Sequence, residues 1–283
     1  MAEGAPDPRL TPARPDVAAA HLEGVVQAAR YAEPRWRVVD AAAAPLSAAP
    51  DADAPLSTQL LLGERFAVYD SAGGWVWGQA ARDGYVGYAP DACFAPETKA
   101  PTHRVSALQA LIYPEPSIKT RPIAAAPFGA LLAARPEGEA FLALDLGGYA
   151  CAQHLAPADS VETDWVATAA RFLGAPYLWG GRTAGGIDCS GLVQIARQAA
   201  GHDCPRDSDM QAQAPGRDVA PGREKRGDLI FWNGHVAIML SPTRLLHATA
   251  HTMSAVIEPL AQVEARIAAL GLGAPVARRR WRG

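Results

Sequence analysis

The stretch APYLWGGRTAGGIDCSGLVQIARQAAG, residues 175–201, decides how the chain is interpreted. Cys189 follows a glycine-rich turn and precedes apolar residues that recur at helical spacing up to the helix-stopping Gly201. This pattern predicts a helix that begins at Cys189. The unpaired amide groups and the dipole of a helix N-terminus favour an anion, so we expect a lowered thiol pKa and a nucleophilic thiolate. A buried, inert cysteine at the start of a helix is the alternative.

Two histidines downstream are candidate partners for the thiol. His235 begins the apolar strand HVAIML, and His247 lies twelve residues later in the next strand, RLLHATA. Two strands joined by so short a turn should pair as a hairpin and bring the imidazoles together. His235 then suits the general base, and His247 suits the group that orients it. His251, four residues further on, is the backup orienting residue, and Cys189, His235 and His247 as three zinc ligands is a second alternative.

The same region predicts a domain of mixed helix and strand over residues 158–265. DWVATAARFLG, residues 164–174, shows helical spacing of its apolar side chains, and RGDLIFW precedes the two histidine strands as a third strand. Helices followed by antiparallel strands predict an α+β domain. Residues 266–283 are expected to form a C-terminal tail, with the basic run at 278–282 solvated and frayed.

The first half of the chain has a different pattern. LLLGERFAVYD, GWVWGQA and GYVGYAP, from Leu60 onward, are short apolar runs separated by Gly-Gly and Asp-Gly turns, which predict tight hairpins and a small barrel over residues 21–100. A weaker version of the pattern predicts a second barrel over residues 101–157. Residues 1–20 are rich in Pro, Ala and charge and are expected to form a loosely ordered arm.

Composition narrows the function classes. The 283 residues carry a formal net charge of −3, so no global basic field favours nucleic acid or an acidic membrane. The four cysteines form no Cys-x-x-Cys pair, which argues against a disulfide framework or a structural zinc site. Neither a signal-like start nor a membrane-length apolar run is present, so we expect a cytoplasmic protein if Met1 is the true start. We expect no cofactor, no metal and a monomer.

Residues 161–260 resemble the NlpC-type family of papain-like cysteine peptidases. The resemblance is carried by PYLWGG, DCSGL, PRDSDMQ, RGDLIFW, GHVAI and LLHA, while the runs from Leu60 resemble a bacterial SH3-like domain. The implied fold is multidomain: two small all-β SH3-like barrels followed by an α+β papain-like catalytic domain. The implied roles are Cys189 as nucleophile, His235 as base, His247 as orienting residue, Tyr177 as oxyanion partner, and Asp188, Ser190 and Ser208 as substrate contacts.

The resemblance also implies an activity, a gamma-D-glutamyl-L-diamino acid endopeptidase of the murein-recycling subgroup. Its expected substrate is a free murein peptide, L-Ala-γ-D-Glu-diaminopimelate, with lysine as the open alternative at the leaving side. The N-terminal ammonium needs an anionic partner, for which Glu64 is the candidate, with the Tyr85 hydroxyl, or that of Tyr88, beside it. Glu64 as a strand-edge charge and Tyr85 as a core aromatic remain open. Two further alternatives are an exported hydrolase of intact wall and a non-catalytic wall-peptide-binding protein.

Overall fold

The computed structural model describes residues 6–97 and 99–281, and the chain divides into two compact units at Ser160. Each unit has its own hydrophobic core. None of the helices in the described ranges combines the length and the apolar composition needed to cross a bilayer.

The strands in the first half of the first unit are β1 (Ala18–Ala19), β2 (Tyr31–Ala32), β3 (Arg35–Val39), β4 (Ala43–Ser47), β5 (Leu56–Leu61), β6 (Arg65–Ala72), β7 (Trp75–Ala80), β8 (Val86–Pro90) and β9 (Phe94–Pro96). The last seven of them form one sheet of order β5-β4-β8-β7-β6-β3-β9. The predicted hairpin between β6 and β7 turns at Gly73 and Gly74, whose φ angles of 60° and 83° are those that such a turn requires. Phe66 and Val76 lie in the core that these strands enclose.

The arm predicted to be loosely ordered is packed in its described part, residues 6–20. Strand β1 pairs with β2, and Val17 and Ala19 are fully buried in a cluster with Trp77. Arg14 stacks on Trp77, with its guanidinium carbon 4.5 Å from the ring centroid, and binds Asp70 at 2.5 Å. The prediction was wrong because a few apolar residues within a polar segment suffice to anchor it when an aromatic surface is available.

The second half of the first unit consists of two smaller sheets. Its strands are β10 (His103–Val105), β11 (Gln109–Tyr113), β12 (Ala124–Pro127), β13 (Leu131–Leu132), β14 (Ala134–Glu137), β15 (Phe141–Leu144), β16 (Tyr149–Cys151) and β17 (Leu155–Pro157). Their orders are β13-β10-β17 and β12-β11-β16-β15-β14, around a separate core. The Leu131 amide donates to the Leu62 carbonyl at 2.8 Å, and a Cβ on Gly63 would lie 2.0 Å from the Leu131 oxygen, so this contact between the halves needs glycine.

The strands of the second unit, in its described residues, are β18 (Arg182–Thr183), β19 (Gly186–Ile187), β20 (Arg217–Asp218), β21 (Leu229–Trp232), β22 (His235–Ser241), β23 (Arg244–Thr249), β24 (Ser254–Pro259) and β25 (Ala277–Arg280). β18 and β19 form a separate pair, and the other six form an antiparallel sheet of order β20-β25-β21-β22-β23-β24. The helices of this unit are α1 (Trp165–Ala170), α2 (Cys189–Ala199), α3 (Ser208–Gln213) and α4 (Leu260–Ala269). The predicted histidine hairpin is confirmed as β22 and β23, and α2 contacts both strands.

The C-terminal segment is part of the sheet rather than a frayed tail. Strand β25 inserts between β20 and β21, and α4 packs Val263 and Ile267 against the sheet. Arg282 lies outside the described residues. The other arginines of the basic run form ion pairs: Arg278 with Glu224 and Glu264, Arg279 with Asp218, and Arg280 with Asp228. This arginine-rich segment is ordered because its backbone pairs with β20 and β21 and because its side chains pair with carboxylates.

Candidate active site

Cys189 is the first residue of α2, as the sequence predicts, and its side chain is 6% exposed. Asp188 is the N-cap of the helix, and its Oδ1 accepts the amide of Gly191 at 2.6 Å. A Cβ on Gly191 would lie 2.4 Å from the carbonyl oxygen of Gly181, so the turn before the helix packs against the helix start. The cap therefore fixes the position of the sulfur.

A buried arginine holds this cap. Arg206 donates from Nη2 to Asp188 Oδ2 at 2.6 Å, and from Nη1 to Asp188 Oδ1 at 3.0 Å and to Ser190 Oγ at 2.9 Å. Asp188 Oδ2 also accepts the amide of Gly180 at 2.8 Å. Both charged side chains are almost fully enclosed, so their mutual pairing offsets the cost of removing each from water.

The thiol differs from the sequence prediction in its electrostatics. Burial raises the pKa of the Cys189 thiol to about 12, and the neighbouring Asp188 carboxylate contributes to the rise. Hydrogen bonds from the amides of Val236 and Ser190 and the charge of Arg206 act in the opposite direction without reversing it. The expected lowering of this pKa was wrong, because desolvation of the sulfur outweighs the helix N-terminus.

The two histidines form a hydrogen-bonded pair. Nε2 of His235 lies 2.8 Å from Nδ1 of His247, with ring centroids 5.0 Å apart. Since the amide of Val236 hydrogen-bonds the Cys189 sulfur, the strand that begins at His235 starts beside the nucleophile. The structure thus brings the predicted nucleophile, base and orienting residue into one locality.

The histidine pair is uncharged at neutral pH. Burial lowers the pKa of His235 to about 3, and the fields of His247 and Arg266 contribute to the effect. The pKa of His247 is also lowered by burial, although the hydrogen bond to Glu258 opposes the change. Thiol and imidazole are therefore both neutral at rest, and the thiolate must form by proton transfer to His235.

Tyr177 lies next to the thiol and keeps its proton. Burial raises the pKa of the Tyr177 hydroxyl, with the charges of Cys189 and Asp188 as further causes. Its backbone is anchored by a 2.9 Å hydrogen bond from its amide to the carbonyl of Met253, a residue at φ 52°. A protonated phenol here is a donor suited to an oxyanion.

The structure supports neither of the two alternatives for the histidines, His251 as the orienting residue and a zinc site. His251 follows β23, which ends at Thr249, so it does not share the extended strand that the sequence predicted. The imidazole bonded to His235 is that of His247. In the described part of the chain, no group of three or more His, Cys, Asp and Glu side chains is arranged to hold a metal ion.

The predicted substrate contacts of the second unit lie near the nucleophile or on α3. Asp188 and Ser190 are buried at 6% exposure and are bound to Arg206. Ser208 is the first residue of α3 and is partly exposed. Their contact with a substrate stays a prediction.

The residues predicted for the ammonium site, Glu64 with Tyr85 or Tyr88, lie in the first unit. Glu64 is 8% exposed, and its carboxylate accepts the amide of Leu61 at 2.9 Å in the turn between β5 and β6. Tyr85 belongs to the core of the seven-stranded sheet, and the hydroxyl of Tyr88 accepts Arg14 at 2.9 Å. Their contact with a substrate ammonium stays a prediction.

A different acidic hollow lies on the first unit. It is an open cavity of about 650 Å³ whose lining includes Glu23, Glu33, Trp36 and Tyr69. Burial raises the pKa of Tyr69, and the charge of Glu33 contributes to the rise. Carboxylates beside aromatic rings are a chemistry that suits an ammonium group.

Several residues of these sites were missed by the sequence interpretation. Glu258 lies 2.8 Å from Nε2 of His247, and Arg266 donates to both of its oxygens. The sequence pattern assigns no role to Arg206, which lies in the motif PRDSDMQ. The sequence signal for Glu258 is weak, because its contact depends on the register in which Leu245 faces Glu258 across β23 and β24.

Comparison with known proteins shows the family of the chain. The profile described as NlpC/P60 family matches residues 174–265, and the profile described as bacterial dipeptidyl-peptidase Sh3 domain matches residues 46–92. A gamma-D-glutamyl-L-lysine dipeptidyl-peptidase from Bacillus cereus (strain ATCC 10987 / NRS 248) is 30% identical over 239 residues, covering 72% of this chain and 71% of the relative. A protein of the same name from Bacillus subtilis (strain 168) is 39% identical over 93 residues, which are 30% of this chain and 31% of the relative.

The fold is also found in a solved structure. The crystal structure of an NlpC/P60 family protein from Bacillus cereus ATCC 10987 matches with a TM-score of 0.74 and 24% identity, over 87% of this chain and 99% of that one. A cysteine at the first position of a helix, beside a histidine strand of an antiparallel sheet, is the arrangement of a papain-like cysteine peptidase domain. The chain belongs to the NlpC/P60 family. It is a cysteine peptidase with a bacterial SH3 domain ahead of its catalytic domain, in a family of peptidoglycan-related peptidases.

Proposed function

We propose that the chain hydrolyses the bond between the γ-carboxyl of D-glutamate and a diamino acid in free murein peptides such as L-Ala-γ-D-Glu-diaminopimelate. The observation that carries the proposal is the bonded His235–His247 pair at the strand that begins beside Cys189. The Bacillus cereus relative is a gamma-D-glutamyl-L-lysine dipeptidyl-peptidase, and this activity supports the choice of bond. A diamino acid leaving group is common to both alternatives, diaminopimelate and lysine.

The chemistry begins from a neutral pair. As the sulfur of Cys189 attacks the γ-carbonyl carbon, His235 takes the thiol proton, so the C=O π pair moves onto oxygen. The Tyr177 hydroxyl and the amides at the start of α2 stabilise that oxyanion. Protonated His235 then protonates the departing amine, leaving a thioester, and water hydrolyses the thioester with His235 again as base.

The substrate's free N-terminus is the reason for proposing a dipeptidyl cut. We propose Glu64 as the carboxylate that receives this ammonium, with the hydroxyl of Tyr85 or of Tyr88 beside it. A carboxylate that pairs with the ammonium offsets the cost of its desolvation.

Mass spectrometry of products from L-Ala-γ-D-Glu-diaminopimelate tests the bond. We expect free diaminopimelate and an intact Ala-Glu dipeptide, both lost in Cys189→Ala. Unchanged hydrolysis by Cys189→Ala would eliminate the mechanism, and cleavage elsewhere would eliminate the proposed bond. The same assay with a lysine peptide determines the preferred leaving group.

A pair of matched variants tests the ammonium site. Glu64→Gln keeps an acceptor oxygen for the Leu61 amide but removes the charge, so it should raise KM for the free peptide by about tenfold or more, since a charge-assisted hydrogen bond is worth about 1.5–3 kcal/mol. Glu33→Gln is the control from the same unit, and an N-acetylated peptide should be poor with every variant. Equal effects of the two substitutions would refute the assignment to Glu64.

The cellular role follows from the substrate. We propose recycling of released peptides in the cytoplasm, because a site for a free ammonium suits fragments better than cross-linked wall. Fractionation of the native cells and comparison of free tripeptide with intact sacculi test this. Preferential digestion of sacculi would favour an exported wall hydrolase instead.

A further inference from the structure

A carboxylate and a guanidinium lie behind the histidine pair. Glu258, on β24, places Oε2 2.8 Å from Nε2 of His247, the ring nitrogen that does not face His235. Arg266, on α4, donates from Nη1 to Oε1 at 2.8 Å and from Nη2 to Oε2 at 2.7 Å. The site is therefore a chain of four side chains in which each contacts the next.

The bidentate contact keeps Glu258 ionised. The hydrogen bonds from Arg266 are the largest cause that lowers the pKa of Glu258 to about 2, and the bond with His247 acts in the same direction. An ionised carboxylate accepts hydrogen bonds and donates none. Nε2 of His247 must therefore carry the proton in the bond to Glu258.

The tautomer of each ring then follows from the one behind it. A neutral imidazole has one N–H, so a proton on Nε2 of His247 leaves its Nδ1 as an acceptor. Nδ1 of His247 faces Nε2 of His235, which must be the donor across their 2.8 Å contact. Nδ1 of His235 is left without a proton and becomes the basic nitrogen.

We propose that Glu258, held by Arg266, is a positioning residue that fixes both histidine tautomers and so presents Nδ1 of His235 as the base for the Cys189 thiol. Without the carboxylate, the proton of His247 can occupy either nitrogen. In one of the two arrangements, Nδ1 of His235 carries the proton and cannot act as the base. Only the choice of assay peptide rests on the proposed function, since the tautomers are measured without substrate.

The direct test is ¹⁵N NMR of the full chain labelled at histidine. The unsubstituted protein should show pyrrole-like Nε2 and pyridine-like Nδ1 in both His235 and His247. Glu258→Ala should mix the tautomers of His247, and of His235 with it. Glu258→Gln keeps the size of the side chain and an acceptor oxygen, so it should retain more of the original tautomer.

Kinetics provide the second readout. Glu258→Ala should lower kcat by about 10- to 100-fold, the range for residues that orient a functional histidine, with little change in KM. Glu258→Gln should fall between Glu258→Ala and the parent. Glu264→Gln is the matched control, because Glu264 lies on the same helix as Arg266 but binds Arg278.

The outcomes separate this inference from the proposed function. Unchanged tautomers in Glu258→Ala overturn it, even if activity falls, because a merely structural role would then explain the loss. Mixed tautomers with unchanged kcat also overturn it. A parent protein with the expected tautomers that fails to cleave the murein peptide refutes the proposed substrate alone. If Glu258→Ala does not fold, Glu258→Gln decides through the same two readouts.

Discussion

Arg206→Met would remove the guanidinium from a carboxylate that is almost fully enclosed. The side chains of Arg206 and Asp188 are 1% and 9% exposed and meet at 2.6 Å. Breaking a buried ion pair from one side costs about 3–5 kcal/mol, because the remaining charge stays buried. The amides of Gly180 and Gly191 still donate to Asp188, so we expect the lower end, about 3 kcal/mol.

The second unit contains a matched control for the same substitution. Arg226 binds Asp164 Oδ2 at 2.8 Å, but the two side chains are 48% and 46% exposed. Asp164 caps α1 through Oδ1, so Arg226→Met leaves the cap in place. An exposed pair of this kind contributes about 0–1 kcal/mol, so this variant should be nearly neutral.

Hydrogen exchange followed by mass spectrometry measures the effect where it arises. A loss of about 3 kcal/mol should speed exchange of the α2 amides by roughly 100-fold when exchange reports local opening. The double variant Asp188→Asn with Arg206→Met removes both charges, so it should recover part of the protection. Equal effects of Arg206→Met and Arg226→Met, or a double variant worse than Arg206→Met, would refute the reasoning.

Three further predictions concern the same unit. Alkylation of Cys189 by iodoacetamide should be slow at pH 7 and rise about tenfold per pH unit between pH 7 and 9, because only the thiolate reacts; a fast plateau at pH 6 would instead indicate a thiolate–imidazolium pair. His235 has a folded pKa of about 3 against an ordinary 6.5, so its stabilising effect is present above pH 6.5 and falls by about 1.4 kcal/mol per unit towards pH 3. In urea unfolding, the free energy of unfolding should therefore fall less between pH 7 and pH 4.5 for His235→Asn than for the parent. Gly191→Ala should lower kcat/KM by about 100-fold while circular dichroism is unchanged, since the new Cβ would clash 2.4 Å from a carbonyl oxygen and shift the helix start; normal kinetics would show that the turn tolerates the methyl.

Local patterns of sequence were enough for the elements that carry the nucleophile and the base. Helical spacing after Cys189 and the short turn between two apolar strands predict α2 and the β22–β23 hairpin, and the structure confirms both. These features depend on neighbours within a dozen residues. Glu258 depends on a third strand and on its register, and Arg266 on the helix after it, so no local pattern indicates their contact.

Burial explains the other differences. The sequence predicts the favourable field of a helix N-terminus at Cys189, but the larger desolvation of the sulfur depends on the folded surroundings. Val17 shows the reverse case, because an arm rich in proline and charge contains one short apolar segment that finds Trp77. Glu64 and Tyr85 suit an ammonium site by their chemistry, but the amide that Glu64 accepts and the core in which Tyr85 packs depend on the folded surroundings rather than on a local pattern.

The charges around the site explain why a neutral resting pair is compatible with catalysis. The charge of Asp188 disfavours a thiolate at Cys189, and the charge of Arg206 favours one. The charge of Glu258 favours an imidazolium at His235, and the charge of Arg266 disfavours one. The charge of each carboxylate is thus offset by that of a guanidinium. Before substrate binds, the surrounding charges therefore give little net stabilisation to a thiolate at Cys189 or to an imidazolium at His235. During attack the negative charge leaves the sulfur for the carbonyl oxygen, where helix amides and a phenol can donate to it. The site therefore favours the charge distribution of the transition state over that of the free ion pair, so Cys189 should react with a peptide aldehyde in strong preference to a small alkylating agent.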